Sequence, residues 1–376
     1  MKADNHQQIY TCNKMNFKNW LLILTCSTYF FVCFSVYSNE TEELLSEEQI
    51  KFNNEVDKCK QAMLETGFVQ ADNKMIDRFC QTKMIAKKRK TGRFAERLFA
   101  EKITELNPFV ITPHEISYIM PFTITDNFNR EPYNIFSEDS DDPSIAPEER
   151  ASYYASEMQR VEAKYQISFK VPLNSSSIFF QGDAIYFGMT LQAWWQLYSD
   201  EISKPFRETN YKPEIFYLTM LPWTINDRNI GFAVNIEHQS NGQFQGISRS
   251  WNRIHLTFAY DSDNWATAIK LWHRFEEPEK SSALDPSGDD NPDIEDYLGH
   301  YEIKSAYAFD NNHKLSSNIR KNWRTGNGSI ELNYTFPMSG RLRGLVQYFS
   351  GYGESLIDYN HKQQKLGLGI ALTDIF

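Results

Sequence analysis

The chain has 376 residues, of which 41% are hydrophobic and 15% aromatic, with a formal net charge of −10. A single apolar run approaches membrane-span length, which excludes a polytopic helical membrane protein, and the acidic balance argues against a dedicated nucleic-acid binder. The aromatic content excludes a largely disordered chain. A soluble β-rich protein and a transmembrane β-barrel remain.

In chain order, Lys14 and Lys18 precede the apolar run Trp20 to Val36, which ends near the small Ser38 and turns acidic at NETEE. A basic start, an apolar stretch and a polar exit predict a secretory signal peptide over residues 1–38, with a helical anchor as the alternative. Cys12, Cys26 and Cys33 leave with it, while Cys59 and Cys80 remain, a count compatible with one disulfide in an oxidising compartment. Residues 39–107 carry apolar side chains at helical spacing in EEQIKFNNEVDKCKQAML and RFAERLFAEKITEL. They are expected to form a small N-terminal helical extension on the periplasmic side, joined by Cys59 and Cys80.

From about Glu115 the pattern turns to period two. Ile330, Leu332, Tyr334 and Phe336 share one face against Ser329, Glu331, Asn333 and Thr335; Leu366, Leu368, Ile370 and Leu372 alternate with Gly367, Gly369, Ala371 and Thr373. Such strands line a core or span lipid around a polar lumen. Twelve fit the chain, near 115–125, 165–173, 181–197, 211–221, 231–241, 248–260, 264–275, 298–309, 313–323, 328–337, 341–350 and 363–376. The even count, short connections on one side, longer ones on the other and the terminal Phe376 all favour an outer-membrane barrel. The expected fold is all-β, a 12-stranded antiparallel transmembrane barrel over residues 108–376.

The fifth strand carries an anomaly. Phe232, Val234, Ile236, His238 and Ser240 share the apolar face by parity, and on the next strand Asn252 shares its face with Ile254, Leu256, Phe258 and Tyr260. Three polar groups thus stand where lipid is expected, at a cost that suggests a role. Ser240 would be a nucleophile, His238 its base, and Asn252 the group that holds the imidazole tautomer. A neutral Asn suits the place, because an ionised carboxylate facing lipid is costlier to desolvate. The competing reading leaves His238 and Ser240 idle in the wet interfacial belt.

The stretch EHQSNGQFQGISRSWNR (Glu237 to Arg253) resembles the signature of the outer-membrane phospholipase A family, as do SKPFRETNYKPEIF, DNPDI and YFSGYGESLIDYN, together covering roughly residues 108–376. The resemblance implies a calcium-dependent acyl hydrolase, acting on membrane phospholipid at both acyl positions and on lysophospholipids. It implies the triad Ser240, His238 and Asn252, and an oxyanion donor at the Gly242 amide. It also implies Ca2+ held by the Ser248 hydroxyl with the carbonyls of Gln243 and, across a homodimer, Ser203. Gln245 stands where some relatives carry an acidic residue, and Leu191 and Gln192 lie where relatives place an interfacial Gln.

A porin-like or catalytically silent barrel is the alternative, with Glu237, Arg253, His255, Glu302, Lys304 and Glu331 in the lumen, where a plug is favoured over a pore. Glu276, Glu277, Asp285, Asp289, Asp290, Asp293 and His300 are read as solvated loop charge. Trp194, Trp195, Trp223, Trp251, Trp265 and Trp272 are read as interfacial girdles.

Overall fold

The structure is a computed structural model that describes residues 47–65, 73–88, 92, 111–137, 155–180, 183–244, 246–282, 285, 287–340 and 342–373. The expected signal peptide, most of the segment 89–107, Gln245 and Phe376 lie outside the described residues.

Helices α1 (Glu47–Glu65) and α2 (Asn73–Lys88) form the described part of the N-terminal extension. Phe52, Val56, Cys59 and Met63 recur at helical spacing along α1 and pack with Met75, Ile76, Phe79, Cys80 and Met84 of α2. Cys59 and Cys80 are joined by a disulfide.

The two-residue strand β1 (Thr112–Pro113) pairs with β3 (Val161–Pro172) beside the barrel proper. The barrel continues through β2 (Tyr118–Thr125), β4 (Ala184–Trp195), β5 (Phe206–Ile225), β6 (Arg228–Ser240), β7 (Ser250–Asp261) and β8 (Trp265–Phe275). It is completed by β9 (Tyr301–Ala308), β10 (Lys314–Lys321), β11 (Gly328–Pro337), β12 (Arg343–Gly351) and β13 (Gln363–Ala371). Each pairs antiparallel with its sequence neighbour, and β13 pairs with β2, closing twelve strands without a free edge.

Parity sorts the side chains as the sequence anticipates. On β13, Leu366 and Leu368 point out while Gln363 and Lys365 are buried in the lumen; on β11, Tyr334 points out while Asn333 and Thr335 are buried. Gly369 sits where β13 slips register against β2, and a Cβ there would meet the Ile119 carbonyl at 2.1 Å, so that close approach requires glycine.

Two expectations change. The expected fourth and fifth segments do not break around 222–230: β5 and β6 run on to a two-residue turn, Asn226 and Asp227, with φ of 51° and 61°. Paired left-handed residues match the strand twist, and Asn and Asp tolerate that region better than most side chains. The tryptophans also divide. Trp223 and Trp265 are exposed as girdle residues should be, but Trp194, Trp251 and Trp272 are buried inside. Their indole N–H groups explain part of this: Trp194 Nε1 donates to Glu354 Oε1 at 2.9 Å and Trp251 Nε1 to Gln239 Oε1 at 3.0 Å.

Opposite charges pair across part of the lumen. Glu354, on the 352–362 connection, accepts from Lys164 (2.7 Å) and Lys365 (2.9 Å); Lys365 also reaches Glu162 (2.8 Å). Arg207 bridges Glu162 and Asp358 at 3.0 and 2.9 Å, and Arg253 pairs with Glu237. These contacts anchor the 352–362 connection inside the barrel mouth.

Candidate active site on the outer face of β6 and β7

The site begins with register. His238 lies opposite Asn252 and Ser240 opposite Ser250 in the β6–β7 ladder. Cross-strand neighbours stand about 5 Å apart, within reach of a side-chain hydrogen bond. His238 Nδ1 and Asn252 Oδ1 are 2.8 Å apart. An amide oxygen only accepts, so Nδ1 carries the proton and donates, leaving the Nε2 lone pair free. Ser240 lies two residues further along the same face, toward the 241–249 connection.

The surroundings confirm that this face is the outer one. Ile236, Leu256 and Phe258 are exposed, with His238, on the barrel exterior, whereas Glu237, Trp251, Arg253 and His255 are buried inside. A hydroxyl, an imidazole and an amide therefore interrupt an apolar wall, as parity anticipated.

Asn241 organises the connection that follows. Its N–H donates to the Arg249 carbonyl (3.0 Å), and its Oδ1 accepts from the Arg249 N–H (2.9 Å). Its Nδ2 donates to the Ile247 carbonyl (2.8 Å) and to Glu208 Oε2 (3.2 Å). With both ends of that loop fastened, Gly242 takes a φ of 62° directly after Asn241, beside the Tyr211 ring. Glu208 Oε1 also accepts the Ile357 N–H at 3.2 Å, so one carboxylate ties this loop to the 352–362 connection.

Ser248 donates its hydroxyl to Asp290 Oδ2 at 2.7 Å, and Asp290 also pairs with Lys280. Gln243 lies on the same loop, its N–H donating to Asn241 Oδ1 at 3.4 Å. Ser203 is on a different connection at the same end of the barrel, exposed, with a φ of 55°. The fold thus gathers His238, Ser240, Asn252, Gly242, Gln243 and Ser248 around one hairpin and places Ser203 on the neighbouring rim.

Several loop carboxylates read as solvated charge are engaged instead. Glu277 Oε1 accepts from Asn252 Nδ2 (2.8 Å), Asp290 holds Ser248, Asp289 pairs with Arg274 (2.5 Å), and Asp293 accepts the Tyr359 hydroxyl (2.5 Å). The 276–300 connection folds over the rim, a tertiary contact that periodicity does not encode. Asn291 Oδ1 joins it to the hairpin by accepting the Ser250 N–H at 3.0 Å. The DNPDI motif was the available signal for Asp290 and Asn291; Glu208 and Asn241 had none beyond lying in polar motif segments. Gln192 turns inward, donating to Gln166 Oε1 at 2.6 Å, so the residue on the outer face there is Leu191.

Comparison with known proteins places this arrangement. The family model of phospholipase A1 matches residues 94–372. A phospholipase A1 from Klebsiella pneumoniae is 34% identical over 277 residues, covering 72% of this chain and 85% of that protein. The outer membrane phospholipase A of Escherichia coli, solved as an active-site mutant with an asparagine changed to alanine, is 33% identical with a TM-score of 0.61. It covers 72% of this chain and 94% of its own. A Salmonella typhi outer membrane phospholipase dimer with bound calcium is 32% identical over the same shares, also with a TM-score of 0.61. The chain belongs to the phospholipase A1 family, and it is a phospholipase built on a twelve-stranded outer-membrane barrel.

Proposed function

We propose that the chain hydrolyses the acyl esters of phospholipids and lysophospholipids, at both glycerol positions, through Ser240, His238 and Asn252, on a barrel face open to lipid near the external rim. The observation that carries this reading is the 2.8 Å contact between His238 Nδ1 and Asn252 Oδ1 on the apolar face. An orienting partner at Nδ1 leaves Nε2 as the only basic atom of the ring. The active-site asparagine of the Escherichia coli structure supports the same role for Asn252.

Ser240 Oγ attacks the ester carbonyl carbon and its proton passes to His238 Nε2. Collapse of the tetrahedral intermediate breaks the bond to the glycerol oxygen, which leaves with that proton as the lysolipid alcohol. Water, deprotonated by His238, then cleaves the acyl-serine, releasing fatty acid and restoring Ser240. The N–H of Gly242, whose left-handed conformation follows Asn241, would be the donor to the developing oxyanion. Because the triad faces the bilayer, substrate arrives laterally without leaving the membrane.

Hydroxyl and carbonyl oxygens are hard donors of the kind calcium takes. Among the described residues no three His, Cys, Asp or Glu side chains cluster as metal ligands; a calcium ion here would be held by a hydroxyl and carbonyls with few carboxylates. Ser248 already lies against a carboxylate, Asp290, which brings hard oxygen donors to the end of the oxyanion loop. Ser248, the Gln243 carbonyl and, across a homodimer interface, the Ser203 carbonyl would hold the ion. A bound calcium ion supplies positive charge beside the oxyanion. The calcium-bound Salmonella typhi dimer supports both the ion and the pairing of barrels.

The test is fatty-acid release from phospholipid mixed micelles by the refolded chain, with and without chelator. Activity should need Ser240 and calcium; turnover that survives Ser240→Ala overturns the triad, and turnover indifferent to chelator overturns the metal role.

A further inference from the structure

The triad reading explains the first contact of Asn252 and leaves its second unused. An amide has two ends: Asn252 Oδ1 meets His238 Nδ1, and Asn252 Nδ2 donates to Glu277 Oε1 at 2.8 Å. Rotating the amide by half a turn would set Nδ2 against the imidazole N–H and Oδ1 against a carboxylate, two repulsive contacts in place of two hydrogen bonds. Glu277, being acceptor-only when ionised, admits one orientation. It lies two residues past the end of β8, whose Phe275 is opposite Asn252 in the ladder, so strand register brings the start of the 276–300 connection beside the site.

We infer that Glu277 is a positioning residue for hydrolysis, and that the reactive line of the site runs Ser240, His238, Asn252, Glu277. The inference rests on the triad reading. It also answers why an uncharged asparagine serves next to the imidazole. A carboxylate beside His238 would face hydrocarbon, whereas Glu277 sits one residue further out on the half-buried rim, where an ionised group keeps water. The carboxylate is moved to where its desolvation is cheap, and Asn252 transmits its orienting effect.

Steady-state lipolysis by the refolded full chain tests this, using Glu277→Ala, Glu277→Gln, Asn252→Asp, the Asn252→Asp/Glu277→Gln double variant and Ser240→Ala. Heat-modifiable gel mobility reports that each barrel is folded. Glu277→Ala should lower kcat about tenfold with KM little changed, the loss of one hydrogen bond to a charged acceptor. Glu277→Gln, whose Oε1 still accepts, should stay within about threefold of the parent. The sign should reverse in the Asn252→Asp background: there Glu277→Gln removes one of two facing carboxylates and should raise kcat about fivefold. A residue that only braced the loop would give no such reversal. If Ser240→Ala is inactive while Glu277→Ala turns over like the parent, the positioning role is wrong and the triad stands. If Ser240→Ala stays active, the triad reading fails and takes this inference with it.

Discussion

Removing the Glu354 carboxylate should loosen the barrel from inside. Glu354 accepts three hydrogen bonds, from Lys164 (2.7 Å), Lys365 (2.9 Å) and Trp194 Nε1 (2.9 Å), with its side chain fully buried. Lys164 and Lys365 are only 1% and 3% exposed, so neither ammonium can turn to water when its partner goes. Each keeps one acceptor, Lys164 the Gln347 amide at 3.0 Å and Lys365 the Glu162 carboxylate at 2.8 Å. Breaking a buried ion pair by removing one member costs about 3–5 kcal/mol, and the retained acceptors set this case near the lower end. Glu354→Ala is therefore expected to destabilise the barrel by about 3 kcal/mol, and Glu354→Gln, which still accepts from Trp194, by about half as much. Urea titration of the refolded protein in detergent micelles, followed by tryptophan fluorescence, measures both. A loss under about 1 kcal/mol for Glu354→Ala would refute the reasoning, showing that water hydrates the two lysines as well as the carboxylate does.

Gly242→Ala should fold normally but lose about tenfold in kcat, because a Cβ at φ 62° costs about 1–2 kcal/mol and shifts the oxyanion N–H. Steady-state kinetics beside an unchanged urea midpoint would show it. Reducing Cys59–Cys80, which closes a 21-residue separation, should destabilise the helical hairpin by about 3 kcal/mol; limited proteolysis should then cut there first, with lipolysis unaffected. At the β3–β4 turn, burial would raise the Asp183 carboxyl, but the N–H groups of Phe180, Phe179 and Ile178 and the Tyr217 hydroxyl hold it below its usual range. Its stabilisation is present above the unfolded carboxylate range and fades as pH falls below about 4. Asp183→Asn should flatten that acid limb in unfolding titrations run from pH 6 to pH 3.

Alternation was legible because a barrel strand obeys one rule, outward apolar and inward polar, and the rule is written in every second residue. The same parity exposed His238, Ser240 and Asn252 as exceptions, and antiparallel register then made Asn252 the neighbour of His238. What parity could not convey is where long connections fold. Glu277 and Asp290 carry no periodic signal, and their charge reads equally as solvated surface; only the path of the 276–300 connection brings them to Asn252 and Ser248. The buried tryptophans were missed for a related reason. Trp194 and Trp251 lie on inward positions by parity, and their composition as aromatics outweighed that in the girdle reading, although each indole finds a luminal acceptor. The turn at Asn226 and Asp227 was hidden by the continuous strand around it, since neither residue is the glycine that usually marks such a site.

The most direct test of the account is covalent labelling of the refolded chain with an alkyl sulfonyl fluoride, mapped by mass spectrometry. A serine activated by His238 displaces fluoride and is sulfonylated, whereas an unactivated serine is not. The account predicts one label per chain, on Ser240, formed in step with loss of lipolysis and abolished in His238→Ala. A label on another residue that tracks the loss of activity, or Ser240 labelled equally in His238→Ala, would contradict it.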